Sequence, residues 1–307
     1  MEISIFGLDL SRDAAAETCL DTIRAQIERA SREGLRGYWL PQAIGLDALT
    51  ALAAVGRGVD MPLGAGVVPV YTRHPVVMAQ QALTLNKALA GNLILGLGTS
   101  HRAFVERVWG QSFDRPAEYM AEYVEILLLL LEERQAYVKG KRVVMRGELD
   151  IDGPACEVMI AALGPRMLEL AGRMAAGTVT WMAGLKTIRD FTVPTINEAA
   201  AAAGRSAPTV AVGLPVCVTD DIAGAKARAT AMLGKEEQAA SYKNMLDREG
   251  LSSAGEICIV GNEDRVSQQL AAFFAAGATT VLAAPIGTDD EIERTWELLA
   301  LLSSSAK

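Results

Sequence analysis

Apolar and polar positions along the chain break it into short apolar runs separated by longer amphipathic stretches. Ile3 to Leu8 is a short apolar strand, and Ser11 to Glu33 places Cys19, Leu20, Ile23 and Ile27 on one helical face, closed by Gly34. Gly37 to Pro41 reads as a second strand stopped by proline, and Leu46 to Val55 as a short helix. Leu63 to Pro69 is the third strand, after which Pro75 opens a helix running to Ala88. The run from Asn92 to Gly98 has no polar alternation, the pattern of a strand buried on both faces, and it empties into Gly98-Thr99-Ser100-His101.

A helix over Ala117 to Arg134 follows. Tyr137 to Gly153 then turns basic, next acidic and Gly-rich, with β-like pieces such as Arg142 to Met145, and reads as an irregular insertion around 137–153. Glu157 to Ala162 resumes the strands, Gly164-Pro165 starts a helix through Ala175, and Thr178 to Trp181 is the sixth strand. Lys186 to Ala203 is helical, Thr209 to Val218 is the seventh strand, and Ile222 to Glu249 is a long, polar helical region. A helix over Arg265 to Ala276, a strand over Thr279 to Ala284 and a closing helix from Glu291 to Leu302 complete the chain.

Eight strands separated almost throughout by helices fit an α/β TIM (β/α)8 barrel better than a doubly wound sheet, as one domain over residues 1–307. A two-domain chain would need a linker, and the irregular segment at 137–153 is its only candidate. In a barrel every turn after a strand lies on one face. Asp9, Gln42, Tyr71, His74, His101, Gly164, Trp181 and Pro285 then converge on one mouth, and they include both histidines of the protein.

Composition narrows the function classes. No uncharged apolar run approaches the roughly 20 residues that span a bilayer, Ile126 to Leu131 being the nearest, so no membrane association is expected. The start MEISIFGLDLSRD has no basic segment or cleavage site, which makes a cytoplasmic location the expectation. Cys19, Cys156, Cys217 and Cys258 are scattered without a CxxC pair or a histidine at ligand spacing, which argues against a metal site or a disulfide framework. A formal charge of −8 with no run of Lys and Arg argues against nucleic acid as a partner.

Three stretches carry a family resemblance: Gly66-Val67-Val68-Pro69-Val70-Tyr71-Thr72-Arg73-His74-Pro75; Leu95-Gly96-Leu97-Gly98-Thr99-Ser100-His101 with Phe113-Asp114-Arg115-Pro116 behind it; and Ala161-Ala162-Leu163-Gly164-Pro165-Arg166-Met167 leading to Ala176 to Trp181. Together with the closing Val260-Gly261 to Gly277-Ala278 portion, they make the chain resemble the luciferase-like monooxygenase superfamily, and within it the oxidoreductases that use the 8-hydroxy-5-deazaflavin coenzyme F420. The resemblance implies a barrel with an insertion and a flavin-like cofactor. It implies an enzyme moving a hydride between C5 of coenzyme F420 and a small-molecule organic substrate, and a homodimer. An FMN-dependent luciferase-like monooxygenase and a non-catalytic flavin- or deazaflavin-binding barrel are the alternatives.

Carried over residue by residue, the resemblance places a non-proline cis peptide at Gly66-Val67, so that Gly66, Val67 and Val68 back the coenzyme ring with Gly98, Thr99 and Ser100 beside it. The turn Ala161, Ala162, Leu163, Gly164, Pro165 and Arg166 takes the cofactor phosphate, with Trp181 at the ring. As bare residues, Gly164-Pro165 is a helix start that presents free N–H groups. His101 follows the Gly-Thr turn where related dehydrogenases keep an acid/base group, and an imidazole suits proton transfer near neutrality. The alternative is a loop histidine that caps Thr99 or packs on Phe104. His74, before Pro75 at a helix start, is expected as a structural cap or a wall of the ring pocket. Asp9, Gln42, Tyr71 and Trp109 are substrate candidates, although Asp9 also fits a helix cap. Arg102, Arg107 and Arg115 are candidates for the coenzyme's acidic tail.

Overall fold

A computed structural model describes residues 1–8, 16–42, 45–234 and 240–304. Strands β1 (Ile3–Phe6), β2 (Tyr38–Leu40), β3 (Leu63–Pro69) and β4 (Leu93–Gly98) alternate with helices α1 (Ala16–Arg32), α2 (Ala48–Val55) and α3 (Pro75–Ala88). Helix α4 (Pro116–Glu132) leads into β5 (Gln135–Lys139) and β6 (Val144–Glu148). Then come β7 (Glu157–Ala161), α5 (Pro165–Met174), β8 (Gly177–Trp181), and α6 (Leu185–Thr187), which runs through a π-helical turn at Ile188–Thr192 into α7 (Val193–Ala202). Strand β9 (Thr209–Val218), helices α8 (Ile222–Leu233) and α9 (Ala240–Glu249), β10 (Ile259–Gly261) and β11 (Thr280–Pro285) follow.

The strands are joined in the order β10-β9-β11-β1-β2-β3-β4-β7-β8, and β8 pairs back onto β9 to close a parallel α/β TIM barrel of eight strands. All eight strands expected from the apolar runs form that ring. The short β10 pairs only with Val216 to Val218, beyond the part of β9 that β8 occupies. Its three residues are too brief for a periodic signal.

Alternation within the strands divides the core in two. Ile3, Ile5, Leu93, Leu95, Leu97, Val158 and Ile160 point outward beneath the helices, whereas Phe6, Trp39, Met159, Val179, Ala211, Leu282 and Ala284 fill the barrel's interior. Both faces are therefore buried, which explains the unbroken apolar run of β4. Ile126, Leu127, Leu130 and Leu131 of α4 are buried against the barrel. The apolar run of this helix is taken up by the fold itself.

The insertion is more regular than its composition indicates. β5 and β6 form an antiparallel hairpin, Gln135 opposite Glu148 and Lys139 opposite Val144. The Glu122 carboxylate of α4 accepts from the N–H groups of Lys141, Arg142 and Val143 at 3.1, 2.8 and 3.0 Å, so the hairpin's tip is tied to the barrel wall. Burial works to raise the Glu122 pKa, but these backbone donors outweigh it and hold the carboxyl below the usual range. Among the described residues no helix is long and apolar enough to cross a membrane.

Candidate active site

The barrel's interior ends, toward the carboxyl ends of the strands, in an apolar floor. Trp39 is buried there, and beta carbons at Gly64 and Gly66 would fall 2.1 and 3.1 Å from its ring, so the two glycines are what let the indole lie across β3. Trp181, half-buried at the end of β8, stacks on Phe6 with ring centroids 5.0 Å apart.

Above this floor β3 departs from regular pairing. The register with β4 shifts between Ala65 and Val68, and the Gly66-Val67 peptide is cis, as the resemblance implies. The bulge turns Val67 into the barrel mouth, where it meets β4 at its two glycines. A beta carbon on Gly96 would sit 2.9 Å from Val67 Cγ1, and one on Gly98 would sit 2.6 Å from Val67 Cγ2. The glycine spacing of the β4 run thus has a packing cause: it makes room for the bulged strand beside it.

Directly after Gly98 the chain turns through half-buried Thr99 and Ser100, the latter in the left-handed region at φ 57°. His101 follows, also half-buried. Its carbonyl accepts from the N–H groups of Phe104 and Val105 at 2.9 and 3.0 Å, which starts the π-helical turn Phe104–Val108 and fixes the backbone that carries the imidazole. The ring leans on Tyr242 of α9, centroids 5.5 Å apart and planes tilted by 57°. The Phe104 ring, a packing partner in the alternative reading of His101, faces Trp109 at 6.3 Å.

On the far side of β4, β7 ends at Ala161, the chain passes through buried Ala162, Leu163 and Gly164, and α5 begins at Pro165. Gly164 has open space around its alpha carbon, and no side chain caps the α5 N-terminus. Helix α4 starts close by, likewise without a side-chain cap, and a cavity of about 560 Å³ lies between the two starts, lined by Arg115, Pro116, Gly164, Pro165 and Arg166. First-turn N–H groups, two positive dipole ends and the Arg166 guanidinium suit this place to a phosphate, while Arg115 shares the lining with Glu118 and pairs with its carboxylate at 3.4 Å.

Other candidates have structural employment. The Gln42 side-chain oxygen accepts from Ala48 N–H at 3.2 Å, ahead of α2. Tyr71 is buried, its ring stacked on Tyr119 of α4 at 4.6 Å, and burial raises its pKa. Trp109 is half-buried behind the His101 turn. His74 caps α3, its Nδ1 accepting from Val76 N–H at 3.3 Å, while Nε2 lies 3.1 Å from the Val144 carbonyl. With Nδ1 as acceptor, the proton sits on Nε2 and is donated to the insertion hairpin. Of the two histidines placed at the mouth by the barrel count, His74 is therefore the cap and His101 borders the site. Arg102 pairs with Glu106 and lies over the Phe113 ring at 5.3 Å, Arg115 faces the cavity, and Arg107 is exposed. Asp9 lies outside the described residues.

Sequence reasoning missed Phe6 and Tyr242. Phe6 comes from a strand that signals only burial, and Tyr242 from a polar helical stretch far from any motif.

The family profile described as luciferase-like monooxygenase matches residues 1–280 of the chain. A 5,10-methylenetetrahydromethanopterin reductase of Methanolobus tindarius is 27% identical over 245 residues, covering 76% of this chain and 72% of the relative. Among solved structures, the coenzyme F420 dependent tetrahydromethanopterin reductase of Methanopyrus kandleri superposes with a TM-score of 0.81 at 22% identity, covering 98% of this chain and 97% of its own. The FMN-bound oxygenating constituent of 3,6-diketocamphane monooxygenase from Pseudomonas putida gives a TM-score of 0.79 at 17% identity, covering 99% and 96%. Barrel, bulge, turn and profile agree: the chain belongs to the luciferase-like monooxygenase family and is an oxidoreductase.

Proposed function

We propose that this protein is a coenzyme F420-dependent oxidoreductase that moves a hydride between C5 of the coenzyme and a small organic substrate, with His101 as the proton donor or acceptor. The observation that carries this reading is that His101, at the end of β4, and the uncapped Gly164-Pro165 turn, after the neighbouring strand β7, border the same mouth. A ring bound between the β3 bulge and the β4 turn, with its phosphate at α5, would present its reactive face to that imidazole. The Methanopyrus kandleri reductase, which is coenzyme F420 dependent and whose organism supplies a match in sequence as well as in fold, supports the deazaflavin over FMN. The FMN-bound neighbour supports FMN, but only through a shared fold.

The residues present fit such a group. Val67, Gly98, Thr99 and Ser100 offer a surface at the β3–β4 seam, and the seat between Arg115 and Arg166 has the polarity of a phosphate site. When bound, the deazaflavin supplies the hydride or takes it up. The apolar floor of Phe6, Trp39 and Trp181 keeps water away from the ring's underside. His101 holds the proton that must join or leave the substrate heteroatom as the hydride moves, a role that typically contributes about 10²- to 10⁴-fold.

Fluorescence titration of the purified protein with oxidised coenzyme F420 and, separately, with FMN tests the reading. Micromolar binding of the deazaflavin with none of FMN is expected. Micromolar FMN binding with none of the deazaflavin would replace the proposal with the monooxygenase reading.

A further inference from the structure

Helix α9 ties two turns of the mouth together. Near its start, Tyr242 leans on His101 after β4. At its end, the buried Glu249 carboxylate accepts from Lys186 N–H at 3.2 Å, from Thr187 N–H at 2.6 Å and from the Thr187 hydroxyl at 2.6 Å, after β8. The Lys186 ammonium donates back to the Glu249 carbonyl at 2.9 Å. Arg248 lies over the Phe191 ring at 3.5 Å, and a beta carbon on Gly184 would come within 2.3 Å of the Glu249 carboxyl carbon. This end of the helix is therefore docked closely, through a carboxylate that satisfies the first N–H groups of α6.

Strand β7 lies between β4 and β8 in the ring. Two strand spacings are about 10 Å, and the seven steps from Tyr242 to Glu249 rise about 10 Å as a helix. The helix thus has the length needed to bridge from the His101 turn, across the end of β7, to the start of α6.

We propose that Tyr242 is a specificity-determining residue: its ring roofs the space above His101 and bounds what reaches the reacting face, with Glu249 as the positioning residue that holds the helix over the site. This deepens the proposed function and rests on it for the identity of the ring beneath the roof. An aromatic side chain suits the task because it is wide, has only two rotatable side-chain bonds and packs against the imidazole at a tilt of 57°. The ring is the part of the side chain that the roof requires, because it is the ring that meets His101.

The test uses the full-length protein saturated with oxidised coenzyme F420 and quenches the bound coenzyme's fluorescence with acrylamide, a neutral solute about as large as a small carbonyl substrate. Tyr242→Ala is expected to raise the quenching constant severalfold, Tyr242→Phe to leave it at the wild-type value, and Glu249→Gln to raise it with coenzyme affinity unchanged. Tyr242→Leu, which keeps apolar packing for α9, serves if the alanine variant fails to fold and is expected to lie between the two. Equal quenching in wild type and Tyr242→Ala overturns the proposal. Should the deazaflavin not bind, the proposed function fails by itself, and the roof is then read from the imidazole proton signals of the unliganded protein. With only two histidines to assign, the His101 signal is expected to lose its ring-current displacement in Tyr242→Ala and in Glu249→Gln. A His101 signal unmoved in both variants overturns the roof independently of any coenzyme.

Discussion

Replacing Gly98 by alanine puts a methyl group into the seam between β3 and β4, and the structure sets the size of the effect. The new beta carbon would lie 2.6 Å from Val67 Cγ2 and 3.7 Å from the Ala161 beta carbon, so the clash is with Val67 alone. A contact that short must be relieved by moving Val67 or by separating the strands, and overpacking of this kind costs about 1–3 kcal/mol. Unfolding entropy of about 2.1 cal/mol/K per residue over 307 residues converts 2 kcal/mol into a fall in Tm of roughly 3 °C. Val67→Ala removes the methyl groups that collide, so the double variant Val67→Ala/Gly98→Ala should recover most of the loss, with a coupling of about 1–2 kcal/mol. Urea denaturation of the four proteins in the cycle measures this directly. A Gly98→Ala protein as stable as wild type, or a double variant whose losses simply add, would refute the claim that the β4 glycines exist to seat the bulge.

Four further outcomes follow from the same geometry. Burial works to raise the Asp47 pKa, but the Thr50 N–H and hydroxyl and the Arg73 guanidinium hold it below the ordinary value of 3.8, so its contribution is present above that pH and is lost as the pH falls through the lowered value. Acid titration of stability should therefore be shallower in Asp47→Asn than in wild type, and Asp47→Ala should cost about 1 kcal/mol at neutral pH through loss of the α2 cap. Burial pushes the thiols of Cys156 and Cys258 up to about 12 and that of Cys217 to about 11, so a thiol reagent at pH 8 should leave all three unlabelled until denaturant is added. His74→Ala should cost about 1 kcal/mol and loosen hydrogen-exchange protection in the β5–β6 hairpin while leaving coenzyme affinity unchanged, which separates it from His101. Ser100→Gly, at a left-handed position, should raise stability by about 1 kcal/mol in the same urea assay.

The eight barrel strands were legible because each is a short apolar run bounded by helix caps, glycine or proline, and because the repeat is interrupted only once. The turn at Gly98 to His101 was legible for the same reason: a strand buried on both faces must end somewhere polar, and in a barrel that end faces the mouth. Sequence patterns fall silent where the partners are distant. His101 and Tyr242 are separated by 140 intervening positions, and Tyr242 lies in a long polar helical stretch that carries no motif. Phe6 and Trp181 meet across the barrel without any local signature of that contact. The tip of the insertion hairpin is tied down by the Glu122 carboxylate, whose role depends on a loop some twenty residues later and cannot be seen from spacing.

The most direct test of the central claim is a crystal structure of the protein soaked with oxidised coenzyme F420. The account predicts the tricyclic ring against Val67 and Gly98 to Ser100, its C5 face turned toward His101, and the phosphate on the N–H groups that follow Gly164. A coenzyme bound elsewhere on the barrel, or one whose phosphate avoids the Gly164-Pro165 turn, would contradict it.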